Sequence, residues 1–213
     1  MDKVKQKYIF DLDGTLLDGD FRKENEYFNS ELTKEESEIL IPRKLDLLMD
    51  YEKEFIRYDV FLLSEYLSKR TAINITPKFI QGWIDFNGSY MEDTIIDGVV
   101  DTLEELKSSG KSLVVLTNWF SKGQLGRLKN SGLDVYFDEI YGGEVFLKPN
   151  RNSFLNACGG TPLESCVMIG DDYYKDYLGS RQSGIDAIHF DRKGRNLSDD
   201  NAIKSLRKIK KLY

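Results

Sequence analysis

"YIFDLDGTLLDGD", residues 8–20, decides how this chain reads. Tyr8, Ile9 and Phe10 make an apolar run of strand length, and the run ends in two acids, Asp11 and Asp13, followed by Gly14 and Thr15. A strand that is apolar without alternation is buried on both faces, as in a parallel sheet covered by helices. Carboxylates at the far end of such a strand stand where open parallel sheets bind their ligands.

The rest of the chain must then supply partner strands. "DGVVDTLEELKSSGK" predicts a helix with Val99, Val100, Leu103 and Leu106 on one face and a stop at Gly110. "SLVVLTN" reads as a strand ending in Thr117 and Asn118, and "SKGQLGRLKNSGL" as a helix ending near Gly132. "EIYGG" is a short strand, and "PNRNSFLNACGG" frames a helix between Pro149 and two glycines. "CVMIGDD" is a buried strand, "YYKDYLGSRQSG" a helix and "IDAIHF" a strand. "DDNAIKSLRKIKKLY" predicts a closing amphipathic helix with Ile203, Leu206, Ile209 and Leu212 on one side. This alternation predicts the α/β class, with a three-layer Rossmann-like parallel-sheet core.

Residues 20–93 have a different texture, rich in charge and aromatics at helical spacing. "TKEE" at 33–36 has the form of a capping box, and Pro42 can open a helix at "PRKLDLLMDYEKEFIRY". "DVFLLSEYLSKR" continues the helical pattern, and Thr76–Pro77 reads as an N-cap and first helical residue. The expected organisation is a core made of 1–19 and 94–213, with a helical insert at 20–93 after the first strand.

Composition narrows the function classes. The 213 residues, 40% hydrophobic and 31% charged, suit one large domain or one domain with an insert. A formal net charge of -6 argues against binding nucleic acid. No run approaches the ~18 apolar residues of a membrane span, and "MDKVKQKYIF" has no signal-peptide core. A cytoplasmic protein with no membrane partner is expected, and a monomer is the simplest state. Cys158 and Cys166 read as core residues. The single histidine, His189, reads as a polar residue at a strand end and leaves no histidine-based triad to build.

Four strand ends carry the chemistry: Asp11 to Thr15; Thr117–Asn118; Lys148–Pro149 just past "EIYGGEVF"; and Gly170–Asp171–Asp172, with Asp176 nearby. Asp11, Asp13 and Asp171 gathered at one sheet edge would repel one another, raising their pKa values or demanding a cation. Oxygen-only ligands suit Mg²⁺. Lys148 adds a fixed positive charge, Thr117 a hydroxyl and the turn at Asn118 backbone N–H groups, together a cradle for a phosphoryl group. Asp172 reads as a helix cap or a supporting group.

"FDLDGTL", "VVLTN", "LKP" and "IGDDYYKD" resemble, in order, the four motifs of the haloacid dehalogenase superfamily. Their separations fit as well: 106 residues from Asp11 to Thr117, 31 on to Lys148 and 23 on to Asp171. The resemblance implies that Asp11 is the nucleophile, forming an aspartyl-phosphate. It implies that Asp13 protonates the leaving oxygen and then activates water. Thr117 and Asn118 would bind phosphoryl oxygens, and Lys148 would screen Asp11 and the phosphate. Asp171 would bind Mg²⁺ with Asp11 and the backbone carbonyl of Asp13, while Asp176 supports Lys148 or a metal-bound water. The dehalogenase branch lacks an acid at the Asp13 position, having no leaving alkoxide to protonate. Asp13 therefore points to phosphoryl transfer. The expected function is a Mg²⁺-dependent phosphatase of a small soluble phosphomonoester. Alternatives are a phosphosugar mutase of the same superfamily and a non-catalytic binding protein on the same fold.

By the same resemblance the insert is a mobile cap that closes over the site. Asp20, Arg22, Lys23 and Arg43 are its candidate substrate contacts. Trp119 and Phe120, where small residues are usual, either stack on a ring at the mouth or pack as core beneath the insert.

Overall fold

A computed structural model describes residues 4–194 and 202–211 of the chain. Its first strand, β1 (Lys7–Phe10), is buried at every residue and lies inside a six-stranded sheet. β2 (Leu17–Gly19) follows at once. Five helices come next: α1 (Glu24–Glu31), α2 (Lys34–Leu40), α3 (Lys44–Glu54), α4 (Val60–Thr71) and α5 (Pro77–Tyr90). β3 (Asp93–Ile95) then pairs antiparallel with β2, so the chain leaves for the helices and returns from them through one short two-stranded ribbon. The sequence pattern does not announce this ribbon, because three residues per strand carry no readable period.

The remaining elements alternate. They are α6 (Val99–Ser108), β4 (Ser112–Leu116), α7 (Ser121–Ser131), β5 (Glu139–Tyr141), α8 (Arg151–Cys158), β6 (Cys166–Gly170), α9 (Gly179–Gln182), β7 (Asp186–Phe190) and β8 (Ala202–Ile203). The sheet order is β5-β4-β1-β6-β7-β8, and every pairing is parallel. Side chains alternate between its faces, as pleated strands require. Tyr8, Phe10, Leu113, Val115, Val167 and Ile169 pack with α6 on one side. Ile9, Val114, Leu116, Cys166 and Met168 pack with α8 on the other, where Cys158 and Cys166 are both buried core residues.

The inserted helices build an aromatic core of their own around Phe28, Tyr51, Tyr58, Phe79 and Trp83. Thr33 and Glu36 form the expected reciprocal capping box, and Thr76 caps α5 with Pro77 in its first turn. The insert is seated on the sheet domain through α5 and α7. A Cβ on Gly126 would fall 2.3 Å from the Gly88 carbonyl oxygen, so the two helix backbones touch and only glycine fits there. Phe120 and Leu147 join the insert's aromatic core from the sheet side.

Two predicted helices come out differently. Tyr173–Leu178 is wound as a π-helical turn before α9 takes over. Asp172 caps it, accepting hydrogen bonds from the Tyr174 and Lys175 N–H groups. The closing segment is also not one α-helix. Ala202 and Ile203 extend the sheet alongside β7, and Leu206–Lys211 forms a 3₁₀ helix. Ile203 belongs to the strand, and Leu206 and Ile209 stand three apart, the period of a 3₁₀ turn. All three are buried in the α6 face of the core, while Leu212 lies outside the described residues. Among the described residues no helix is long and apolar enough to cross a membrane.

Candidate active site

Three adjacent strands, β4, β1 and β6, end side by side and hand over Thr117, Asp11 and Asp171 at one edge of the sheet. Asp11 follows β1 directly, and its N–H donates to the Ile169 carbonyl at 2.9 Å, extending the ladder to the acid itself. Gly14 turns the chain away with φ at +79°, and a Cβ there would lie 2.4 Å from an Asp171 carboxylate oxygen. Glycine is thus required twice over, for the turn and for the approach of Asp171.

Lys148 binds the acids together. Its Nζ donates to Asp11 Oδ1 and to Asp176 Oδ1, each at 2.6 Å, and it is only 4% exposed. Burial works against its charge, but the Asp11 and Asp176 carboxylates outweigh that and raise the ammonium pKa above the usual lysine value. Asn118 fixes the same residue from behind. Its Oδ1 accepts from the Lys148 N–H at 2.7 Å, and its Nδ2 donates to the Lys148 carbonyl at 3.1 Å. The Asn118 side chain is therefore spent on positioning Lys148, and any phosphate contact from this residue falls to its main chain.

Asp11, Asp171 and Asp176 each bring a carboxylate oxygen within 4.8 Å of the others. Three carboxylates against one ammonium leave negative charge in excess. Burial, which Lys148 counters and Asp176 and Asp171 reinforce, pushes the Asp11 carboxyl well above the usual range. Burial first, then Asp176, pushes Asp171 up to about 6. Asp176 is engaged at both oxygens, by Lys148 and by the Asp172 N–H at 3.1 Å. Asp171 could take a cation together with Asp11, whose Oδ2 has only the long 3.4 Å contact from Thr15 Oγ1, and an all-oxygen donor set with surplus charge fits a hard divalent ion.

Asp13 faces elsewhere. Its Oδ2 accepts from Gln124 Nε2 at 3.0 Å, and its Oδ1 lies 2.7 Å from Arg127 Nη2. Gln124 also donates to Thr117 Oγ1 at 3.0 Å, so one amide spans Asp13 and Thr117. Arg127 is fully buried and makes a two-pronged pair with Asp93 of β3, at 2.7 and 2.9 Å. Burial opposes its charge, but Asp13 and Asp93 raise its pKa regardless. Sequence reasoning missed Gln124, Arg127 and Asp93. In "SKGQLGRLKNSGL" the first two look like the solvated side of a helix, and only the tertiary fold buries them.

The insert reaches the same place with Glu52 of α3. It accepts from Lys175 Nζ at 2.6 Å and Asn118 Nδ2 at 3.1 Å, and from the Tyr58 hydroxyl at 3.1 Å. Together these residues line a cleft of about 270 Å³ whose floor holds Asp11, Thr117, Lys148 and Asp171. Phe120 is buried beneath the insert as core, and Trp119 packs against the same core while also lining the cleft. Asp20, Arg22, Lys23 and Arg43 turn to other partners. Asp20 pairs with Arg22, Lys23 with Glu26 and Glu92, and Arg43 with the Arg70 carbonyl. His189 is buried at the end of β7, with Nε2 3.2 Å from the Asp171 carbonyl.

Comparison with known proteins places this geometry. Pyrimidine 5'-nucleotidase PynA of Streptococcus pneumoniae is 28% identical over 199 residues, covering 85% of this chain and 82% of its own length. Phosphoserine phosphatase of Thermus thermophilus is 36% identical over 109 residues, or 49% of this chain and 43% of its own. The magnesium-bound structure of the HAD-hydrolase YfnB from Bacillus subtilis superposes with a TM-score of 0.69 at 22% identity, covering 99% of both chains. The 2-haloacid dehalogenase of Pseudomonas syringae pv. Tomato superposes with the same score of 0.69 at 20% identity, over 99% of this chain and 98% of that one. The sequence model described as haloacid dehalogenase-like hydrolase matches residues 8–190, from β1 through β7, and the chain belongs to that family.

Proposed function

We propose that this hydrolase is a Mg²⁺-dependent phosphatase that cleaves a small phosphomonoester through a phosphoryl group carried on Asp11. The observation that supports this most is the Lys148 ammonium, buried and bonded to Asp11 and Asp176 at the floor of the cleft. It marks one carboxylate, Asp11, as held in place with its charge offset and its second oxygen facing Thr15 Oγ1 at 3.4 Å. A positioned carboxylate splits a difficult hydrolysis into two displacements. Two of the four proteins compared above are named for acting on phosphomonoesters, a nucleotide in one case and phosphoserine in the other.

The roles follow from charge and position. Asp11 attacks phosphorus. Thr117 and the main chain at Asn118 hold phosphoryl oxygens, and Lys148 offsets charge on Asp11 and the incoming phosphate. Asp11 and Asp171 would hold Mg²⁺, with the Asp13 carbonyl, and the ion would supply further charge neutralisation. Asp13 protonates the leaving alkoxide, then takes the proton of the attacking water. Gln124 and Arg127 fix its carboxylate. Arg127 also grips Asp93 in the ribbon that leads back from the helices, tying the position of Asp13 to the placement of the insert. Residues 20–93 then serve as the cap of a core formed by 1–19 and 94–213.

The test is phosphate release from a panel of alkyl and metabolite phosphates, with and without Mg²⁺. Asp13→Asn should lower kcat on alkyl phosphates by about 10²–10⁴-fold, the usual contribution of general acid–base catalysis. Turnover within threefold of the wild type would remove Asp13 from the mechanism.

The crowded carboxylates also predict a pH-dependent metal effect. The Asp171 carboxyl sits at about 6 in the folded protein against an ordinary 3.8. Between those values the metal-free native state holds the proton more tightly than the unfolded chain, so rising pH erodes stability there. A cation is most needed once Asp171 is ionised. At a hundredfold over its Kd, Mg²⁺ should add about 2.7 kcal/mol, or roughly 5–10 °C in Tm for a domain this size. The shift at pH 7.5 should clearly exceed that at pH 5. Equal shifts in differential scanning calorimetry would mean that the ion binds elsewhere.

A further inference from the structure

A second cavity of about 230 Å³ opens beside the Asp11 cleft. The two share Asp13, Leu45, Leu48 and Trp119 as common wall. Asp13, the proton donor to the leaving oxygen in the phosphatase reading, thus stands in the wall between them. Its remaining apolar walls are Phe21 and Trp83, and the Trp83 and Trp119 rings lie 4.9 Å apart, tilted by 55°.

Most polar groups in the lining already have partners. Glu24 accepts from Trp83 Nε1 at 2.8 Å, Asn87 Nδ2 at 2.9 Å and Lys44 Nζ at 2.6 Å. Lys44 also donates to the Phe21 carbonyl at 2.7 Å. Gln124 and Arg127 are held by Asp13, Thr117 and Asp93. Among the described residues of the lining, Asn87 Oδ1 and Trp119 Nε1 are left without a partner, and Asp13 Oδ1 has only its ion pair with Arg127.

We infer that this cavity takes the alcohol half of the substrate, and that this half carries a single flat, uncharged ring. The inference rests on the phosphatase reading above and names its substrate class. A polyhydroxylated or charged group would lose its water here and find only Asn87 Oδ1 and Trp119 Nε1 open to it in exchange. An aromatic or heteroaromatic ring loses little on leaving water and gains contact with two indoles, a phenyl ring and two leucines. Size limits the ring to one. An apolar cavity of roughly 150 Å³ accepts benzene, so the volume here admits one ring with its linker to phosphate and crowds a fused pair.

The experiment compares benzyl phosphate with ethyl phosphate, two alkyl esters with similar alkoxide chemistry, and adds naphthylmethyl phosphate as the oversized ring. Benzyl phosphate should exceed ethyl phosphate in kcat/KM by about ten- to hundredfold, the gain from burying one aromatic ring, and should also exceed naphthylmethyl phosphate. Phe21→Ala, at a wall residue that is 41% exposed and so safe for folding, should reduce the benzyl-to-ethyl ratio severalfold. Leu45→Arg, which is 65% exposed, should do the same by bringing charge to the shared wall. Ethyl phosphate turned over as well as benzyl phosphate overturns the inference, as does a ratio unchanged in both variants. Calorimetric binding of benzylphosphonate and ethylphosphonate, with Mg²⁺ present, reads the cavity without turnover. An inactive protein that still prefers benzylphosphonate keeps the ring site and loses the phosphatase reading. An active protein with no preference for either phosphonate keeps the phosphatase and loses the ring site.

Discussion

Asp11→Asn should abolish phosphate release, lowering kcat by at least a thousandfold on every substrate the wild type accepts. The magnitude is that of removing a covalent nucleophile, whose loss is rarely rescued by the rest of a site. An amide oxygen is a poor nucleophile and brings no charge to a cation. The variant should also keep its fold, which separates chemistry from stability. Asparagine fills the same space at the end of β1. Its amide oxygen can still accept from Lys148, whose ammonium keeps its pair with Asp176. Metal-free Asp11→Asn should thus melt no lower than the metal-free wild type. Phosphate release within tenfold of the wild type would take the nucleophile assignment away from Asp11.

Lys148→Met carries the second large effect, and here stability is the readout. The ammonium is buried and bonded to two carboxylates. Its removal leaves Asp11, Asp171 and Asp176 together without the charge that offsets them. Breaking a buried pair from one side costs about 3–5 kcal/mol, or roughly 10 °C in Tm at this chain length. The loss should shrink as pH falls, because Asp11 and Asp171 both have raised pKa values and become neutral on acidification. Thermal melts of the metal-free variant at pH 7.5 and pH 5 check both statements. A Tm within about 2 °C of the wild type at pH 7.5 would mean that Lys148 is dispensable to the acid cluster. Catalysis should fail as well, since phosphoryl transfer relies on charge neutralisation at this spot.

The sheet was legible because its strands are continuous apolar runs with polar ends. "YIF", "SLVVL" and "CVMIG" could hardly be anything but buried strands, and the residues that follow them, Asp11, Thr117 and Asp171, meet at one sheet edge. Lys148 was legible through its motif alone, as nothing in its local pattern distinguishes it from a solvated lysine. What stayed hidden depends on tertiary packing. Gln124 and Arg127 sit on a helix that looks polar, and their burial comes from α5 and β3 closing over them. Glu52 meets Asn118 and Lys175 only because the insert folds back on the sheet edge. The closing segment misled because three-residue spacing satisfies an α-helical stripe and a 3₁₀ turn almost equally well over so short a stretch.

The insert touches the helix whose side chains bond Asp13. Its α5 touches α7 backbone to backbone at Gly88 and Gly126, and α7 is also the helix that carries Gln124 and Arg127. A movement of the insert at this contact would reach Asp13 through Arg127 and Asp93 without passing through any loop. The residues that would hold the proton-transfer group are thus the same ones that register where the insert lies.

The stereochemical course at phosphorus tests the central claim most directly. Each in-line displacement inverts the phosphorus centre, so transfer to Asp11 followed by attack of water inverts it twice. With a substrate made chiral at phosphorus by isotopic oxygen and sulfur, the account predicts phosphate released with net retention. Net inversion would show a single direct attack by water and would contradict the covalent role of Asp11.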